Sequence, residues 1–512
     1  MVRFAMVHSM DVTHDAAIQT IEGQGMRLAQ RTACSADAAV QRPGYARSRL
    51  SRGMVHIGLG AFHRAHQALY TEAAIHDGDT RWGIVGVSLR EPRMARALTA
   101  QDCLYAVIER QGAEAKGRIV GALVQALYAP HALEQVTGAI ADPAASVVTC
   151  TVTEKGYHRH PSTSDLDTSD PDIRHDLAHP DAPRSTLGVL AAGIRRRPSG
   201  APLSIVCCDN MADNGDTLRK LLTQYASQVD PALARRIDDE VALPNTMVDR
   251  IVPAATPASL NWAQQRLGLR DEAAIVCEPF TQWVIEDRFA GARPAWEAGG
   301  ALMTGDVRTF QAMKLRMLNG THSAIAYAAQ LCGIGTVAGA MADPVLGAFA
   351  RGVMEDLLAT VTAPPGYDVA RYANALLCRL RNAAIAHHTA QIATDGTQKV
   401  PVRWLPALRE SLAADIERPC LERALALWLH YLRCDTNERG EPLAASDPGA
   451  PPLAAALRGA DSDTDAVRRA LAHGAVFGDA PWPKHFRRRL AAHLTVLRER
   501  GAAALLSFPA TT

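Results

Sequence analysis

Residues 313–327, MKLRMLNGTHSAIAY, set an ammonium (Lys314), a carboxamide (Asn319) and an imidazole (His322) among apolar residues that recur at helical spacing. Those three groups suit the interconversion of a carbonyl and an alcohol. A lysine in a dry pocket loses part of its affinity for its proton and can deliver or take one near neutrality. An amide N–H stabilises an oxygen on which negative charge develops. On an ideal helix Asn319 and His322 project about 140° and 80° around from Lys314, so the three can border one cleft. The same stretch equally suits a lysine that snorkels to water and an Asn-Gly turn that ends a helix.

Further polar groups follow apolar runs. TVTEKGY ends one with Glu154, and LSIVCCDNMADNGD ends another with Asp209 and Asn210. LPNTMVDRIVPAATP supplies Asn245, Asp249 and Arg250. The carboxyl ends of strands are where an open α/β sheet presents ligand-binding groups, although each such residue alone also serves as a turn or cap. Upstream, MVHIGLGAFHRAHQALYT carries a strand into a turn and a helix. Gly58 permits a tight turn, Gly60 lets the backbone approach a pyrophosphate, and Ala61 and Phe62 open a helix facing the negative charge. His63 takes the place of the third glycine of that pattern, so a plain strand-to-helix turn is the other reading. After the next strand comes SLREPRMAR. There Glu91 favours the free ribose hydroxyls of NAD, while Arg90 and Arg93 tolerate the extra phosphate of NADP.

The elements that must position these groups fall into three regions. Residues 1–50 are polar and without sustained period, and RPGYARSRLSRG at 42–53 reads as a connecting arm. Over 51–296 short β-branched runs (MVHIGL, WGIVGVSL, LYAVIE, SVVTCTVTE, LSIVCCDN, AAIVCEPF) alternate with helical stretches, which predicts a largely parallel sheet covered on both faces. STSDLDTSDPDIRHDLAHPDAPRS at 162–185 reads as a surface loop. From 297 to 512 strand signals nearly vanish and alanine- and leucine-rich helical spacing takes over, with GEPLAASDPGAPPLAAAL as a loop between late helices. The predicted class is α/β plus α, a Rossmann-type dinucleotide-binding domain followed by a mainly helical one.

At 512 residues, two domains are expected. Lys plus Arg number 54 against 53 Asp plus Glu, a balance that gives no reason to expect nucleic acid or an acidic membrane as partner. The ten cysteines lack C-x-x-C spacing and read as buried apolar residues in a reducing compartment. With neither a signal-peptide stretch nor a long apolar run, the expectation is a cytoplasmic protein acting on a small molecule, as a monomer or small homo-oligomer.

Taken together, VHIGLGAFHRAHQALYT, TVTEKGY, CDNMADNG, MVDRIVPAATP, CEPFTQWVIEDRFAGARPAW and MKLRMLNGTHSAIAY resemble the successive signature blocks of the long-chain mannitol dehydrogenase and fructuronate reductase family, in family order. The resemblance implies metal-free NAD(H)-dependent chemistry, with NADP less favoured, and a site in the cleft between the domains. It makes Lys314 the general acid/base, Asn210 and Asn319 the two oxyanion amides, and His322 the imidazole that orients substrate. Asp249 falls on a substrate-side acid and Glu154 on the acid at the mouth of the site.

RLRNAAIAHHTAQIATDGTQKVPVRWLPALRESL resembles the family's substrate-binding block, with Lys399 on its lysine. Where mannitol dehydrogenases carry an arginine, this chain has Gln391, and a glutamine there, together with TEKGY, GAFHRAHQALYT and DRIVPAATP, looks more like the fructuronate reductase branch. That branch interconverts D-fructuronate and D-mannonate, and a substrate carboxylate would welcome cations such as Lys399. Mannitol 2-dehydrogenase or a related polyol dehydrogenase is the alternative. Gln311 replaces a glutamate that several relatives carry three residues before the lysine. Two rival classes remain: a zinc alcohol dehydrogenase and a non-catalytic nucleotide sensor. Zinc would need cysteines placed beside His63, His66, His158, His160, His387 or His388, and none is. A sensor would not need the lysine and amides that are present.

Overall fold

The structure, a computed structural model, describes residues 25–160, 163–385, 387–443 and 446–507, so the first half of the expected arm lies outside the described residues. Two compact units are formed, Met1–Val307 and Arg308–Thr512.

The strands of the first unit are, in chain order, β1 (Met54–Ile57), β2 (Ile84–Ser88), β3 (Tyr105–Gln111), β4 (Glu114–Val120), β5 (Leu123–Tyr128) and β6 (Val147–Cys150). After them come β7 (Leu203–Cys207), β8 (Val241–Ala242), β9 (Thr246–Asp249), β10 (Ile275–Cys277), β11 (Gln282–Glu286) and β12 (Leu302–Thr304). The main sheet has the order β5-β2-β1-β6-β7-β8 and is parallel throughout. From β1 the chain builds outward on one side through β2 and β5, then crosses to β6, so the carboxyl ends of β1 and β6 flank a topological switch point.

Alternation along each strand divides the apolar residues between two cores. Val55, Ile57, Val85, Val87, Val148 and Ile205 face one, with the helices Ala129–Ala141, Thr186–Arg196 and Asn214–Val229. Met54, Ile84, Val147 and Val206 face the other, with Trp283 and Trp296. Both faces are covered, which is why the strands read as unbroken apolar runs.

Two of the six runs lie elsewhere. LYAVIE and AAIVCEPF form β3 and β10 of a second sheet, β10-β3-β4. Gln111 pairs with Glu114 across a two-residue turn in which Gly112 has φ +56°, and so short a connection forces β3 and β4 to run antiparallel. A third sheet, β12-β11-β9, ends β9 at Asp249.

The 162–185 segment is not all loop. Asp170 accepts hydrogen bonds from the N–H groups of Asp172 and Ile173, and with Pro171 in the first turn it starts a helix, Pro171–Ala178. The buried Asp176 then ties the chain back by accepting from the N–H groups of Arg184 and Ser185, each at 2.8 Å. Residues 42–53 are docked by Arg47, which donates to the carbonyls of Gly121, Asp102 and Leu123. All ten cysteines are free, but Cys34 and Cys378 are exposed, so the buried reading does not hold for them.

The second unit is helical. Thr321–Leu331 and Pro419–Arg433 are buried on nearly every side and form its centre, where Tyr327 meets Trp404, Trp428 and Tyr431. The expected loop at 440–457 gives way to a helix at Ala450–Arg458. Between the helices Val307–Lys314 and Thr321–Leu331 lies a π-helical turn, Leu315–Gly320. The ideal-helix projection of Asn319 and His322 therefore fails, because i→i+5 bonding widens the turn between them and Lys314. Among the described residues, no helix is long and apolar enough to cross a membrane.

Candidate active site

At the switch point the chain leaves β1 through Gly58, whose φ of +106° suits glycine and whose added Cβ would lie 2.0 Å from the Thr151 carbonyl oxygen. Beneath it, buried His56 fixes the turn: Nε2–H donates to the Gly58 carbonyl at 2.7 Å, and Nδ1 accepts from the Thr149 hydroxyl at 2.7 Å. Thr151 Oγ1 donates to the same carbonyl at 2.9 Å. Burial pushes the His56 imidazole down to about 3, so it stays neutral with that tautomer. His63, in the place of the third glycine, stacks on His56 with centroids 3.3 Å apart, an aromatic filling where the glycine pattern leaves space.

Gly60 is exposed, and a Cβ there would meet no atom within 4 Å. Nothing in the chain requires glycine at that position, whereas a pyrophosphate passing over the turn would. The turn, Ala61 and Phe62 thus fit a dinucleotide. Phe62 stacks on His66 at 4.8 Å, and Glu91 is exposed at the head of the helix Pro92–Ala100 without capping it. Gly60→Ala is expected to leave the melting temperature unchanged and to raise the dissociation constant for NADH roughly tenfold or more, about 1.4 kcal/mol, as read by quenching of tryptophan fluorescence.

Glu154 follows β6 as the exposed first residue of a 3₁₀ turn, Glu154–Tyr157, whose last residue is buried. Before it, Thr153 has φ +68° and ψ 159°, a strained conformation for a β-branched residue. Asp209 over-determines that strain: its carboxylate accepts from the N–H groups of Val152 (3.0 Å) and Thr153 (2.8 Å) and from the Tyr157 hydroxyl (2.6 Å). Asp209 therefore faces inward as the post of the Glu154 turn, and burial raises its pKa. Its neighbour Asn210 is exposed. Asn245 and Arg250 are also structural. Asn245 Oδ1 accepts from the N–H groups of Gly215 and Asp216, and Arg250 binds the carbonyls of Glu278 and Ala65 and the Glu109 carboxylate. Asp249 is buried at the end of β9.

In the second unit Lys314, Asn319 and His322 are all buried. Asn319 Nδ2 and His322 Nε2 are buried with no hydrogen-bond partner, each at the cost of about 1–3 kcal/mol that an unsatisfied buried group exacts. Groups left so in a native fold need a partner from outside the chain, water or a ligand. Desolvation holds the His322 pKa well below the usual imidazole value, helped by the charges of His387, Arg379, Arg403 and Lys314. His387 meets His322 edge-on at 5.1 Å. Lys399 Nζ donates to the Ile392 carbonyl (3.3 Å) and Thr394 Oγ1 (3.1 Å), while Gln391 is exposed on the short helix Thr389–Ile392.

Sequence reasoning missed His56, the inward role of Asp209, and the contacts of Arg403 and Trp404 with the π-turn. Arg403 Nη1 donates to the Asn319 carbonyl and Trp404 Nε1 to the Gly320 carbonyl. One group among the described residues has metal-ligand types close together, His158, Asp170 and Asp172, with ligand atoms within 4.8 Å of one another. All three are engaged within the chain: Asp170 Oδ1 bonds His158 Nδ1 at 3.1 Å and caps a helix, and Asp172 pairs with Arg90.

A parallel sheet with a glycine turn at its switch point, followed by a helical unit carrying a buried lysine, amide and imidazole, fits a dinucleotide-dependent oxidoreductase, and the comparisons make it an NAD-dependent one acting on CH–OH groups. The sequence matches the mannitol dehydrogenase Rossmann domain over residues 52–298 and the mannitol dehydrogenase C-terminal domain over 306–497, so the chain belongs to the mannitol dehydrogenase family. It is 40% identical over 425 residues to the D-mannonate oxidoreductase of Escherichia coli (strain K12), covering 81% of this chain and 87% of that protein. It is 38% identical over 474 residues to the mannitol 2-dehydrogenase of Cereibacter sphaeroides, covering 91% and 98%. The structure of Pseudomonas fluorescens mannitol 2-dehydrogenase, solved as a ternary complex with NAD and D-mannitol, superposes with a TM-score of 0.83 at 33% identity, covering 94% of this chain and 99% of that one.

Proposed function

We propose that this enzyme reduces the C2 ketone of a linear sugar acid, D-fructuronate, to D-mannonate. The observation that carries the reading is the pair of unsatisfied polar groups, Asn319 Nδ2 and His322 Nε2, buried in a setting of positive charge from Lys314, Arg379 and Arg403. Such a setting suits an oxygen that becomes an alkoxide and a substrate that carries a carboxylate. NADH bound at the glycine turn would supply the hydride. Lys314 protonates the nascent alkoxide and takes that proton back in the oxidation direction. Asn319 donates to the C2 oxygen, with Asn210 as the second amide, and neutral His322 orients that oxygen or a neighbouring hydroxyl. Asp249 and Glu154 act on the substrate side. Lys399 adds positive charge on the carboxylate side, and Gln391 leaves that end without the arginine that grips a polyol.

The alternative is a mannitol 2-dehydrogenase, the name borne by several relatives. NADH oxidation at 340 nm, with D-fructuronate and D-fructose offered side by side to chelator-treated enzyme, separates the two. A higher kcat/KM on fructuronate is expected; a higher value on fructose makes the enzyme a mannitol dehydrogenase, turnover of neither points to a related polyol dehydrogenase, and only failure on every keto-sugar offered favours the sensor reading. Gln391→Arg, which restores the arginine that grips a polyol in the mannitol dehydrogenases, is expected to raise kcat/KM on fructose by roughly tenfold, the scale of one hydrogen bond from a charged donor.

A further inference from the structure

The π-turn is gripped from outside by consecutive residues, the last of the helix Gly396–Arg403 and the one after it. Arg403 Nη1 donates to the Asn319 carbonyl at 3.1 Å and to Ser323 Oγ at 2.8 Å, so one guanidinium nitrogen spans the helical turn that contains His322. Trp404 Nε1 donates to the next carbonyl, that of Gly320, at 3.0 Å. Trp404 is fully buried, and Gly320 leaves no room for slack: a Cβ there would lie 2.9 Å from Leu357 Cδ1 and 3.4 Å from Trp404 Nε1.

We propose that Arg403 and Trp404 are positioning residues for the reaction: by clamping the carbonyls of Asn319 and Gly320 they fix the widened turn so that the Asn319 carboxamide and the His322 imidazole stand preorganised for the substrate oxygen. The inference rests on Asn319 being an oxyanion donor, as proposed above. Its physical content is the cost of relaxation. A π-turn left to itself can revert toward α-helical bonding, which rotates the side chains that follow the inserted residue. The buried Nδ2 and Nε2 atoms would then turn toward other partners and lose their unsatisfied state. Two directional donors on successive carbonyls oppose that rotation. A displacement of about 1 Å at such a group can cost on the order of a hundredfold in rate. Arg403 also adds its charge to those that keep His322 neutral.

The test uses the full-length enzyme, the keto-sugar on which the parent turns over, and the variants Trp404→Phe, Arg403→Lys, Asn319→Ala and the double variant Asn319→Ala with Trp404→Phe. Phenylalanine keeps the packing and removes only the N–H; lysine keeps the charge, but its shorter stem leaves the ammonium short of the place where Arg403 Nη1 meets both acceptors. The expected result is a kcat lowered roughly ten- to a hundredfold in either clamp variant, with NADH affinity and substrate KM near parental. The double variant is expected to lose clearly less than the product of the two single losses, because the clamp acts in part through the amide that Asn319→Ala removes and otherwise only through His322. Clamp variants with parental kcat, or a double variant whose loss is the product of the two single losses, overturn the clamp while leaving the oxyanion reading intact. Parental kcat in Asn319→Ala overturns both. Should Trp404→Phe fail to fold, Arg403→Lys with its own double variant decides by the same comparison.

Discussion

Lys314→Ala is expected to lower kcat by about 10²–10⁴-fold, the range that a general acid/base supplies, while NADH still binds with parental affinity. Lys314 is the last residue of its helix and enters the π-turn directly. It is buried, and its charge is among those that depress His322. In the proposed mechanism the proton is carried by the lysine and not by the imidazole. Burial first, and then the neighbouring His387, Arg379, Arg403 and Lys314, hold His322 well below the usual imidazole range, so across the working range of pH it stays unprotonated and does not act as the acid. The variant should therefore lose not only rate but also the pH dependence that the lysine confers, whereas His322→Gln should keep the shape of the profile and lose rate alone. Stopped-flow measurement of NADH consumption and equilibrium fluorescence titration separate the two quantities. Retained turnover in Lys314→Ala, or a His322→Gln profile with its acid limb gone, would remove the lysine from the role.

The buried polar cluster was legible in the sequence because charged and polar groups in an apolar helical stretch are expensive. Lys314, Asn319 and His322 stand out against Met313, Met317, Leu318 and Ile325, and all three are buried. The glycine turn was legible for a similar reason, since Gly58 occupies a conformation that L-residues avoid. What spacing could not carry was geometry decided at a distance. The π-turn has no local signature that separates it from an α-turn, and the donors holding the Asn319 and Gly320 carbonyls lie 84 residues further on. Asp209 follows β7 as a ligand-presenting acid would, yet it turns inward because the N–H groups of the strained Val152–Thr153 segment need an acceptor. The separate sheet of β3, β4 and β10 was hidden because strand composition reports burial and not partners.

Asn319→Ala is expected to lower kcat by about 10²–10³-fold, the usual cost of removing one oxyanion donor, with a smaller change in KM. The structure explains why the ground state should feel the loss less than the transition state. Nδ2 is already desolvated and unpartnered, so the fold has met the cost of stripping water from it before substrate arrives. A neutral ketone oxygen recovers part of that cost; an oxygen acquiring negative charge recovers more, and the difference appears in kcat. Alanine also relieves the unsatisfied amide, so the variant should melt at or above the parental temperature while being slower, a pairing that a packing defect would not produce. Asn319→Asp adds a further distinction. A carboxylate cannot donate and repels the developing charge, so it should be slower than alanine at neutral pH and regain rate as falling pH protonates it. An aspartate variant as active as the parent, or an alanine variant that is both slow and unstable, would mean that Asn319 serves the π-turn and not the oxyanion.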